Sequence, residues 1–89
     1  MIKSLTFDTG DMRHNAIREL ENAMADITEA DHYKDGPAAY SAMLGAASHW
    51  GKATAWLDML SDIGIELSSE NEHVETMLEI TEEKLGLYY

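Results

Sequence analysis

Residues 38–56 read AAYSAMLGAASHWGKATAW, and none of these positions is acidic, although the 89-residue chain holds 17 acidic residues. Drawn as a helix at 100° per residue, Ala39, Met43, Ala46, Trp50, Ala53, Leu57 and Leu60 form one broad apolar side. Tyr40, Leu44, Ala47, Gly51 and Ala55 widen it, and only Ser41, Ser48, Lys52 and Asp62 leave a polar strip. A helix that is apolar on nearly every side belongs in an interior. The stretch therefore predicts a central helix that is neutral because it is buried. Pro37 suits its first position, where a missing amide hydrogen costs no bond, and Gly64 offers a left-handed stop. A helix over residues 37–63 would be about 40 Å long.

Working outward, the preceding DHYKDG of residues 31–36 reads as a loop. Before it, Ile17, Leu20, Met24 and Ile27, flanked by Ala16, Ala23 and Ala30, make one stripe of a helix over about 11–30, with Thr9 or Asp11 as its cap. After it, Ser69 and Glu72 have the spacing of a capping box. Val74, Met77, Leu78, Thr81 and Leu85 then form the stripe of a third helix over about 69–85, ended by Gly86. In residues 2–8, Leu5 and Phe7 alternate with Ser4, Thr6 and Asp8, the two-residue period of a strand, which predicts a short extended N-terminal arm. The length fits one domain. The expected fold is all-α: a three-helix bundle with a long central apolar helix.

Such a bundle leaves part of the central helix uncovered, because its partners are some seven and ten residues shorter. Gly45 and Gly51 also lie in its interior, where each costs about 1 kcal/mol relative to Ala. Ala47, Gly51 and Ala55 share one line beside Trp50, so this surface is expected to drive self-association, and the chain is expected to be a homodimer.

Six basic residues against 17 acidic ones give a net charge of −11. That balance disfavours direct binding to nucleic acid or to an anionic membrane and favours a protein partner with a basic surface. There is no cysteine, so disulfides and thiolate metal sites are excluded. No run of 18 apolar residues and no signal-peptide pattern occurs, and a cytoplasmic location (the host cytoplasm, if the source is viral) is expected.

The acids are not scattered. Glu72, Glu75, Glu79 and Glu82 step along one side of the third predicted helix, joined by Glu83, with Lys84 the one base nearby. Carboxylates about 4.5–6 Å apart along an axis can stand in for a row of phosphates against a basic groove. Glu29–His32, Glu70–His73 and Asp11–His14 have the i, i+3 spacing found in carboxylate–histidine metal sites, but chance accounts for such pairs in a chain this acidic. No metal ligand is assigned and no cofactor is expected. His49 beside Trp50 fits a histidine satisfied in a core or an interface, with a proton-sensitive contact as its functional reading. Phosphate loops, nucleophile elbows and zinc-binding helix motifs are missing, and a small solid bundle offers no roomy cleft, so an enzyme is not expected.

In composition alone, the chain resembles small acidic helical proteins, often encoded by bacteriophages, that block host nucleic-acid enzymes. The leading expectation is a non-catalytic nucleic-acid mimic: an inhibitor or regulator whose acidic face occupies a basic, nucleic-acid-binding site on a partner. A self-associating structural module is the alternative, and a small carboxylate–histidine metal protein a distant third.

Overall fold

The computed structural model describes residues 9–86, which are all-α. The arm expected at residues 2–8 lies outside the described residues. The elements are α1 (Thr9–Tyr33), α2 (Pro37–Asp62), the single turn α3 (Leu67–Glu70) and α4 (Glu72–Lys84). Among the described residues, no helix is long and apolar enough to cross a membrane.

Local chemistry sets the boundaries. Between α1 and α2 the backbone turns left-handed at Lys34 (φ 68°) and Gly36 (φ 92°), and Pro37 then opens α2. At the far end of α2, Gly64 (φ 89°) lets the Gly64 amide donate to the Ser61 carbonyl and the Ile65 amide to the Leu60 carbonyl. These two bonds are the Schellman closure expected of a glycine stop. The third predicted helix starts later than the Ser69–Glu72 box suggests. Asn71 is extended (φ −141°, ψ 103°), and its side-chain oxygen accepts from the amides of His73 and Val74 at 3.0 and 3.3 Å. An extended residue with its own capping oxygen breaks one helix into a turn and a shorter helix.

α1 and α2 run antiparallel and are nearly equal, with 25 and 26 residues. The mismatch expected between the first two helices therefore disappears, since α1 reaches Tyr33. α4 runs in the same direction as α1: Arg13 meets Glu70, Glu21 meets His73 and Asp31 meets Lys84 in rising order along both. α1 packs against both α2 and α4, whereas α2 has little direct packing with α4. The helix at the centre is thus α1.

This corrects the expectation that α2 is buried on nearly every side. Its buried residues are Ala39, Ala46, Ala53 and Leu60, a single seam with a seven-residue step. Facing it, α1 buries Met12, Ala16, Leu20, Ala23, Ile27 and Ala30 at steps of three and four. Three alanines on each side let the two backbones approach closely. The opposite side of α2 is open: Tyr40 is 68% and Leu44 54% exposed, and Ala47, Gly51 and Ala55 are exposed with them. The wheel misleads because it counts Ala and Gly as core formers. A methyl group or a hydrogen offers little area to bury, so such a face exerts little pull toward the interior.

The larger side chains form the main core, where Met12, Ala16 and Leu20 of α1 meet Ala53 and Leu60 of α2, Leu67 of α3, and Val74 and Met77 of α4. Ile17, Met24, Trp56, Leu57, Ile65 and Leu78 pack around it. Thr81 is fully buried, and its hydroxyl is satisfied by donation to the carbonyls of Met77 (2.8 Å) and Leu78 (3.1 Å).

Candidate functional site

α4 turns Val74, Met77 and Thr81 inward. At 100° per residue, Glu72, Glu75, Glu79, Glu82 and Glu83 fall on an arc of about 100° directly opposite. Glu72, Glu75, Glu79 and Glu83 are exposed and Glu82 is half-buried. The bases on this side of the molecule are engaged elsewhere. Arg13 Nε lies 2.8 Å from Glu70 Oε1, Lys84 Nζ 3.6 Å from Asp31 Oδ2, and His73 Nε2 3.8 Å from Glu21 Oε2. Among the described residues, no ion pair neutralises Glu72, Glu75, Glu82 or Glu83.

Glu82 also stands at a groove of about 230 Å³ between α2 and α4. Leu57, Leu67 and Leu78 supply apolar lining, and Asp58, Glu66 and Glu82 supply carboxylates from three separate segments. The Ser61 hydroxyl donates to Glu66 Oε1 at 2.7 Å and holds that side chain. Helical periodicity accounts for the α4 row but not for this meeting of acids over leucines. It could not be read from the sequence, because Asp58 and Glu66 reach Glu82 only through the fold.

The self-association residues separate into two groups. Ala47, Gly51 and Ala55 lie exposed on the outer side of α2. Trp50 does not join them: it is half-buried, and its indole N–H is enclosed with no hydrogen-bond partner among the described residues. It belongs to packing within the chain.

The two interior glycines of α2 have different surroundings. A Cβ at Gly45 would stand 2.7 Å from Asp26 Oδ2, so the missing side chain admits the Asp26 carboxylate. Among the described residues, a Cβ at Gly51 would meet nothing within 4 Å. Beside Gly45, His49 bridges the hairpin: its Nδ1 is 3.2 Å from Glu19 Oε1 and its Nε2 3.8 Å from Asp26 Oδ2. Asn22 also donates to Glu19 Oε1, at 3.3 Å. The sequence marked His49 as a histidine satisfied at an interface but not its partners. Their signal is a seven-residue spacing, Glu19 to Asp26, which places both on one flank of α1.

Members of two of the acid–histidine pairs turn to other neighbours. Glu70 turns to Arg13, His73 toward Glu21, and exposed His32 sets its ring edge-on to Tyr33. Among the described residues, no group of three or more His, Asp or Glu is arranged to hold a metal ion. Comparison with known protein families, with curated proteins and with solved structures finds no match for this chain.

Proposed function

We propose that this protein is a non-catalytic binding module, an inhibitor or regulator whose acidic face engages the basic, nucleic-acid-binding surface of a partner protein. The observation that carries this reading is the position of Glu82, which ends the α4 row and also belongs to the groove with Asp58 and Glu66. Solubility alone asks for dispersed charge. It does not ask for carboxylates from three segments beside leucines. A Lys or Arg side chain from a partner could lay its aliphatic stem on Leu57 and Leu78 and place its cationic head among these acids. Glu72, Glu75, Glu79 and Glu83 would extend the contact along α4, meeting successive positive charges as a phosphate backbone does.

The test is retention and competition. Immobilised protein should retain nucleic-acid-binding proteins at low salt, and heparin or duplex DNA should release them, because both would occupy the same basic surface. The variant Glu75→Lys/Glu82→Lys should stay folded and lose that retention. If the folded variant retains the same proteins, or if nucleic acid does not compete, the acidic face is not the binding surface.

A further inference from the structure

We infer that the outer face of α2 is the docking surface for a second copy of this chain, with the two α2 helices antiparallel about a twofold axis level with residue 49. Three observations lead there, and the face shares only Asp58 with the acidic groove.

The first is Gly51. It sits mid-helix and exposed, with open space where its Cβ would be. Glycine is unfavourable inside a helix unless something needs the room. At Gly45 the Asp26 carboxylate needs it; at Gly51 nothing among the described residues does. A second backbone pressed against this position would.

The second is the order of residues along the face. Tyr40, Leu44, Ala47, Gly51, Ala55 and Asp58 follow one another along the outer side, the large apolar residues first and the small ones after. In an antiparallel pair centred on residue 49, Ala47 lies opposite the partner's Gly51, Leu44 opposite the partner's Thr54 and next to the partner's Ala55, and Tyr40 opposite the partner's Asp58. Ala47 and Gly51 let the two backbones close at the centre, Leu44 meets smaller residues on either side of it, and the Tyr40 hydroxyl can donate to the partner's Asp58 carboxylate. One face complementing itself in this way is what an isologous interface requires.

The third is charge and area. Each chain carries −11, so copies repel. The outer face of α2 is where that repulsion is least, since no acid occurs between residues 36 and 57. For the same reason, charge would not draw a basic partner to it. A helix of 26 residues is about 39 Å long, and a strip one helix wide gives roughly 500–600 Å² per copy, or about 1,000–1,200 Å² in total, the lower end of specific interfaces.

Sedimentation equilibrium on the full chain tests the inference. The unmodified protein should form a species of twice 9.9 kDa that high salt does not dissociate. Gly51→Leu and Tyr40→Glu should each raise the dissociation constant roughly tenfold or more while circular dichroism shows unchanged helicity. Tyr40→Glu/Asp58→Lys should restore association, because the two changed residues face each other only in the antiparallel arrangement. A concentration-independent monomer of the unmodified chain overturns the inference. So does a dimer indifferent to Gly51→Leu and Tyr40→Glu, which would lie on another face, or a failure of the double variant to reassociate. A monomer whose melting temperature falls sharply with Gly51→Leu overturns it as well, because the face would then be covered by the chain's own residues.

Discussion

Gly45 and Gly51 stand six residues apart in one helix and answer to different neighbours. Gly45 lies on the flank facing α1, where a carboxylate fills its missing side chain. Gly51 lies on the outer side with nothing over it among the described residues. The same division runs the length of α2. On the inner side, Ala39, Ala46, Ala53 and Leu60 close on α1 in heptad steps; on the outer side, Tyr40, Leu44, Ala47 and Ala55 face solvent. Apolar character therefore does two jobs in this helix: one face builds the fold, and the other is left available once the fold is complete.

Mutations on the two sides should differ in kind. The largest effect belongs to Leu60, which is fully buried where α1, α2 and α3 converge. Leu60→Ala should cost roughly 2–5 kcal/mol in urea unfolding, a large share of the stability of so small a domain. The next contrast uses neighbours. Ala46→Leu pushes three carbons into a closed seam and should cost about 1–3 kcal/mol. Ala47→Leu adds the same carbons outside and should change the stability of the single chain by less than about 0.5 kcal/mol. Equal costs at positions 46 and 47 would erase the distinction between the faces.

The glycines sharpen it. In dilute solution, Gly51→Ala should stabilise the chain by about 0.5–1 kcal/mol, since the added methyl strains nothing and the helix gains propensity. Gly45→Ala should gain less, because its Cβ displaces Asp26 from beside His49. Equal gains would mean that Asp26 needs no room. His49→Ala should also cost little, about 0–1 kcal/mol, because His49 is 30% exposed and partly exposed pairs such as those with Glu19 and Asp26 are weakened by solvent.

Much of this architecture is legible in the residues, and the exceptions share a cause. Pro37, Gly64 and Gly86 mark their helix ends because each acts through its own backbone. The acids of α4 fall opposite its buried stripe because one helix suffices to place them. What depends on neighbours could not be read the same way. A wheel that weighs alanine like leucine points to α2 as the central helix. α1 takes that place because it packs against both α2 and α4, with Leu20 in the shared core and Ile17 and Met24 around it. The break at Asn71 had a visible signal, a strong capping residue, but the Ser69–Glu72 spacing competed with it. The Glu19–His49–Asp26 contact and the groove of Asp58, Glu66 and Glu82 join residues from different segments, and no periodicity within one helix announces them.

The two-sidedness of α2 is tested most directly by thiol reactivity at adjacent positions, since the chain has no cysteine to interfere. Ala46→Cys and Ala47→Cys should be treated with a small thiol reagent in dilute solution. The expected result is that Cys placed at position 47 reacts about as fast as a free thiol, while Cys at position 46 reacts roughly a hundredfold or more slowly, at a rate set by opening of the hairpin. With rising protein concentration, position 47 should become protected as second copies cover it, and position 46 should not change. Equal protection of both positions in dilute solution would contradict the account, because it would mean that α2 is enclosed on both sides within a single chain.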